Sequence, residues 1–207
     1  MSDENILKID TGIGVKNTTV DTVRGSIKKN TDFAKDKLLP FVSENDVILK
    51  TSMPKFVDSL PDEYWNTLLH RMWLTMKHSG GIGLSANQVG INERFFIIGN
   101  EEICIACINP EIEDQSEQEE ISKEGCLSYP GLIISVRRPK WVVGKFTNAE
   151  GKEMTQRFDG LSAKCYFHEL DHMNGIRMID HASPFALKRA KEKRNKLLKK
   201  VERRSKK

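Results

Sequence analysis

The chain has 207 residues, 38% of them hydrophobic and 30% charged, with a formal net charge of +4. That length buries a substantial core and suits one domain with extensions, while the apolar runs are too short to span a bilayer. Four cysteines, Cys104, Cys107, Cys126 and Cys165, do not make a disulfide framework in a chain of this size. The stretch Met1–Asn5 is acidic and leads into no basic-then-apolar signal, so the cytoplasm is the expected location, with no membrane partner.

Residues 1–40 are polar and weakly periodic, which predicts an N-terminal extension that is partly ordered at best. A helix follows, with Ser59 placed to cap it and Pro61 suited to its first position. Trp65, Leu68, Leu69, Met72, Trp73 and Met76 recur at helical spacing as a core-facing stripe, and Gly80-Gly81 ends it. Next comes Gly81-Ile-Gly83-Leu-Ser85-Ala-Asn-Gln88. It lacks the Gly-Lys-Ser/Thr of a P-loop and follows a helix, so it is no nucleotide fingerprint. Its glycines let the backbone approach a substrate, and Gln88 offers an amide donor.

From Arg94 to Thr147 the pattern turns to strands: Phe95–Ile98, Ile103–Ile108, Leu132–Val136 and Trp141–Phe146. Asn148–Gly151 reads as a hairpin turn returning through Glu153–Phe158. Cys104 and Cys107 sit in a uniformly apolar run and should point to opposite faces of a buried strand, not to a shared metal. A helix over Leu161–Asn174, closed by Gly175, precedes a last helix opened by Ser183-Pro184 and running from Phe185 to about Glu202. Residues 186–207 carry 12 Lys/Arg against Glu192 and Glu202, a local net of +10, which leaves the rest of the chain near −6. A basic tail of this kind suits a polyanion such as RNA. Helices flanking a strand-rich middle give an α+β class, divided as an extension (1–40), a catalytic domain (41–182) and a basic helix (183–207).

The Leu161–Asn174 helix carries His168-Glu-Leu-Asp-His172. Residues four apart share a helix face, so His168 and His172 can offer two imidazoles to one ion, with Glu169 beside them to take a proton from bound water. The third ligand decides the chemistry. A metzincin pattern needs His where Met178 stands, and Glu192, the downstream acid of the other protease pattern, sits in a charged helix. Upstream, Glu124-Gly-Cys126-Leu-Ser-Tyr-Pro130 places a cysteine in a turn. Two His and one Cys would leave a fourth tetrahedral position open.

The ordered motifs G-x-G-L-x-A-x-Q, E-G-C-L-S and H-E-x-D-H resemble those of the peptide deformylase family, from about Asp46 to the C-terminal helix. The resemblance implies mixed strands around the His168–His172 helix. It also implies one divalent ion on Cys126, His168 and His172: Fe(II), replaceable by zinc, nickel or cobalt. The implied activity is removal of the formyl group from N-formylmethionine on nascent chains. Glu169 would move the proton, and Gln88 with the Leu127 N–H would stabilise the oxyanion. Gly81, Ile82 and Gly83 would wall the substrate, and Ile82, Leu161 and Cys165 would surround the methionine side chain. The ribosome or its RNA would meet the basic helix. A metalloprotein that binds RNA with little activity, or an H-E-x-x-H peptidase, are the alternatives. Ile133 and Phe167 depart from the family's usual basic residue and Gln, which predicts altered peptide contacts and altered metal surroundings. Ser85, for the usual Ala, should be a small change. Asp171 should pair with a base such as Arg138 in a structural role.

Overall fold

The structure, a computed structural model, describes residues 37–57, Leu60 and residues 63–205. Ser59, Pro61 and residues 1–36 of the expected extension lie outside the described residues. Helix α1 spans Glu63–His78. Its predicted stripe is the buried one: Trp65, Leu68, Leu69, Met72 and Met76 are all under 8% exposed, and Trp73 is partly buried. The Gly80 turn ends it, with φ +68° and its N–H on the Lys77 carbonyl.

Five strands form one antiparallel sheet in the order β1 (Gly83–Ser85), β2 (Phe95–Gly99), β3 (Cys104–Gln115), β6 (Trp141–Thr147) and β7 (Glu153–Asp159). Strands β4 (Glu119–Gly125) and β5 (Ile133–Pro139) pair as a separate antiparallel hairpin. Every pairing is antiparallel. Strand β1 falls inside what reads as a Gly-rich loop, and β4 is too charged to announce itself. Strand β3 runs past the predicted end at Ile108, through a register shift where Asn109 takes φ +50° ahead of Pro110.

The two faces of the five-stranded sheet bury two cores. On one, α1 packs over Leu84, Phe95, Ile97, Cys104, Ala106 and Ile108. On the other, helix α2 (Gly160–Met173) lays Ala163, Tyr166, Phe167, Leu170 and Met173 over Phe96, Ile105, Cys107, Val142 and Phe158. Cys104 and Cys107 therefore do face opposite ways, both buried and free. Glycine at Gly144 lets α2 come close. A Cβ there would lie 2.5–2.6 Å from the Tyr166 ring and hydroxyl, and Tyr166 is held by Glu111 O (2.8 Å) and a stack on Phe158.

The opposite face of α2 meets β4 and β5 through charges. Lys164 pairs with Glu120, His168 with Glu124 and Asp171 with Arg138, at helix spacings of four and three. Helix α2 closes at Gly175 (φ +71°), where Ile176 N–H reaches back to Asp171 O. Helix α3 spans Pro184–Ser205. Leu187 and Ala190 rest on a third core of Cys126, Tyr129, Leu132, Ile134, Val136 and Met178. Ahead of α1, Leu39 and Phe41 pack on the first-helix core, and Glu44 pairs with Arg194 at 2.8 Å. Among the described residues no helix is long and apolar enough to cross a membrane.

Gly144→Ala should destabilise the chain by about 1–3 kcal/mol, the usual cost of overpacking. A urea-unfolding midpoint equal to that of the wild type would contradict the α2–sheet contact described here.

Candidate metal centre

Each half of the centre has a local cause. The i, i+4 spacing on α2 sets the His168 and His172 rings edge to face, 5.2 Å between centroids and 67° between planes. Strand β4 ends at Gly125, and the turn that follows, closed by Tyr129 N–H on Cys126 O, delivers the Cys126 thiol to them. Cys126 Sγ lies 3.3 Å from His172 Nε2, and one donor atom from each of Cys126, His168 and His172 falls within 4.8 Å of the others. Tetrahedral Zn–N and Zn–S bonds imply donor separations of roughly 3.5 Å, so the cluster is of a size to close on one ion. A thiol with two imidazoles suits iron, zinc, nickel or cobalt, not calcium or magnesium.

Burial pushes the Cys126 thiol up, but His172 and His168 beside it bring it down to about 5. Burial disfavours a charged His168, yet Cys126 and Glu124 raise it well above the ordinary imidazole value. Burial works against the Glu124 carboxylate, and His168 and Arg138 overcome it to hold it at about 2. In the metal-free chain the Cys126 and Glu124 anions thus flank a protonated His168. A divalent ion held by these donors would take the place of that proton.

Glu124 Oε2 lies 3.0 Å from His168 Nδ1, and both Glu124 oxygens accept from Arg138, at 2.9 and 3.1 Å. Arg138 also donates to Asp171 at 2.6 Å, the pairing expected from the sequence. Glu124 lies within the E-G-C-L-S motif, which by itself gives it no role. Its signal is the strand period, since Glu120, Ser122 and Glu124 share the face turned to α2.

Glu169 is 3% exposed at the floor of a cleft of about 840 Å³. Burial raises its carboxyl, while His168, His172 and Ser85 pull the other way. Gln88 is 1% exposed. Its Oε1 accepts from Ser85 N–H (2.9 Å), which turns its Nε2 to Ser128 Oγ (3.0 Å) and towards Cys126 Sγ (3.5 Å). Among the described residues no acceptor takes the Leu127 N–H. The Leu127 side chain lies over Gly81, where a Cβ would meet it at 2.7 Å.

A family model for polypeptide deformylase matches residues 38–188. The chain belongs to the polypeptide deformylase family. The peptide deformylase of Thermotoga maritima is 39% identical over 123 residues, 59% of this chain and 75% of that protein. That of Natranaerobius thermophilus is 42% identical over 142 residues, 68% of this chain and 89% of that one. The crystal structure of a peptide deformylase from Synechococcus elongatus in complex with actinonin superposes with a TM-score of 0.71 at 34% identity, covering 81% of this chain and 91% of that one. A peptide deformylase from Legionella pneumophila gives 0.72 at 33%, covering 81% and 99%. Deformylases are metal-dependent hydrolases that release formate from N-formylmethionyl peptides, and this chain shares that reaction.

In this deformylase, Gly81, Ile82, Gly83, Leu161 and Cys165 line the same cleft as Gln88, Cys126, Leu127, His168 and Glu169. His172 lies behind it, 1% exposed. Phe41, Lys164 and Ile133 are additional lining residues. Ile133 is half exposed where it lines the cleft. Phe167 corrects an expectation: it packs in the α2–sheet core, away from the metal cluster, and the acid paired with His168 is Glu124. Ser85 corrects another. Its hydroxyl donates to Glu169 Oε2 at 2.6 Å, so replacing the usual Ala is not a small change. Met178, where a metzincin would place a ligand, is buried in the third core, and Glu192 is exposed on α3.

Glu124→Ala should weaken divalent-ion binding roughly 10–100-fold in chelator competition, the usual cost of removing such an outer partner; an unchanged affinity would contradict its role. Iodoacetamide should label Cys126 first in the metal-stripped chain, and a bound ion should protect it. Cys104, which burial pushes up to about 12, and Cys107 should stay unlabelled until the chain unfolds. Equal labelling of all four thiols by mass spectrometry would contradict this arrangement.

Proposed function

We propose that Cys126, His168 and His172 hold one Fe(II) ion at the floor of the cleft, and that Glu169 carries the proton of deformylation. The observation that supports this most is the convergence of three buried donor atoms beside a buried carboxylate. A divalent ion bound there polarises the formyl oxygen and lowers the pKa of a water from 15.7 to about 7. Everything else falls to the chain's own groups. Glu169 accepts a proton from the attacking water and returns it to the departing amine. Gln88 Nε2 and the Leu127 N–H donate to the formyl oxygen as it gains negative charge, each worth roughly 2.7–4 kcal/mol. Gly83 keeps the wall thin for the small formyl group, and Ile82, Leu161 and Cys165 take the methionine side chain. Zinc, nickel or cobalt fits the same donors.

The catalytic unit is residues 41–182, and the basic helix, residues 183–207, is a separate contact for the ribosome or its RNA in the cytoplasm. The end of helix α3 supports such a contact: the described side chains beyond Arg194 are exposed, while Leu187 and Ala190 anchor its start on the third core.

Glu169→Ala should cut formate release from formyl-Met-Ala to a small residual rate while metal content stays at one ion per chain; a variant with wild-type turnover removes Glu169 from the mechanism. Iron-loaded protein should lose activity in air while nickel-loaded protein persists. Equal lifetimes would contradict iron on a thiolate. Truncation after Asn195 should weaken ribosome binding and flatten its salt dependence, with formyl-Met-Ala turnover unaltered. Unchanged binding would reduce α3 to a solvated helix.

A further inference from the structure

Strand β1 is three residues long, and its period of two turns Gly83 and Ser85 to the same side, with Leu84 in the α1 core on the other. That side faces Glu169. A Cβ on Gly83 would collide with Glu169 Oε1 and lie 2.8 Å from its Cδ and 2.7 Å from Cys165 Sγ. So Oε1 lies against the bare Gly83 backbone. Ser85 takes the other oxygen: its Oγ is 2.6 Å from Oε2 and 3.2 Å from the Glu169 carbonyl. Both residues are buried, Ser85 fully. The backbone of Ser85 also holds Gln88, through N–H to Oε1 at 2.9 Å.

We infer that Ser85 is a positioning residue for deformylation. Its hydroxyl ties down Oε2 and leaves Oε1, lodged against Gly83, as the oxygen that handles the proton. This rests on the proposed role of Glu169. A carboxylate on a helix retains rotation about its last bond, and a buried one with a single tethered oxygen presents the other in a fixed direction. Because Gln88 is held by the main chain of the same residue, a substitution at Ser85 separates the two contacts. It removes the carboxylate tether and keeps the amide in place.

The test is steady-state formate release from formyl-Met-Ala by metal-loaded wild type, Ser85→Ala, Glu169→Ala and the double variant, with metal content and thermal midpoint measured for each. Ser85→Ala should lower kcat roughly 10- to 100-fold, the scale of a misplaced catalytic group, with KM and metal content unchanged. In the Glu169→Ala background the same substitution should have no further effect on the residual rate, because its partner is gone. Ser85→Cys, which fills the same space with a weak donor, should follow Ser85→Ala and covers an alanine chain that does not fold. Wild-type kcat in both Ser85 variants, an equal loss in the Glu169→Ala background, or a loss confined to KM or metal content would each overturn the inference while deformylation stands. A wild-type chain that releases no formate would overturn both.

Discussion

A single buried guanidinium holds the two halves of the centre together. Arg138 is 4% exposed on β5, with two oxygens of Glu124 from β4 and one of Asp171 from α2 around it. A buried charge is costly unless each of its donors is met, and removing one partner of such a group leaves the other uncompensated. The hairpin and α2 therefore have one relative placement that satisfies all three residues. That placement brings Glu124 to His168 and leaves the Cys126 turn facing the two rings. Lys164–Glu120 and His181–Asp171 extend the same seam, the latter at 2.7 Å near the surface.

The opposite face of α2 needs no such precision. It is apolar and packs on the five-stranded sheet, where the closeness allowed by Gly144 sets the depth of the helix. One helix thus has a face fixed by packing and a face fixed by charge, and the residues proposed for catalysis lie along the boundary. Glu169 sits there, with β1 against it and the cleft open in front. The N-terminal segment closes the far wall: Val42 N–H bonds to Gln88 O at 3.0 Å, Tyr129 Oη to Glu44 O at 3.2 Å, and Phe41 lines the cleft. Such pre-organised donors lose little orientation freedom on binding substrate.

Much of this was legible in the chain. Helical periodicity places α1, α2 and α3 to within a few residues wherever the structure describes them, the i, i+4 histidines call for a third ligand that Cys126 can supply, and the Gly-rich stretch presents Gln88. The Cys104/Cys107 alternation was readable because a strand's period of two is geometric. Strand β4 was hidden because Glu119–Gly125 is mostly charged, and what makes it a strand is pairing with β5 rather than apolar alternation. Strand β1 was hidden by Gly80, Gly81 and Gly83 at its start, a composition that reads as loop. The roles of Glu124 and Ser85 depend on contacts 44 and 84 residues away in sequence, to His168 and Glu169, which no local pattern encodes. Phe167 differs for a related reason: it lies about 100° round the helix from His168 on the side of the sheet core, while Glu169 lies the same angle round on the side of the cleft.

The central claim is the donor set, and X-ray absorption at the metal edge of the reconstituted chain tests it directly. One sulfur near 2.3 Å and two imidazole nitrogens near 2.0–2.1 Å are predicted for a zinc-loaded sample. The sulfur shell should vanish in Cys126→Ala, with the nitrogens retained. A wild-type spectrum without sulfur, or a sulfur shell that survives the loss of Cys126, would contradict the centre described here.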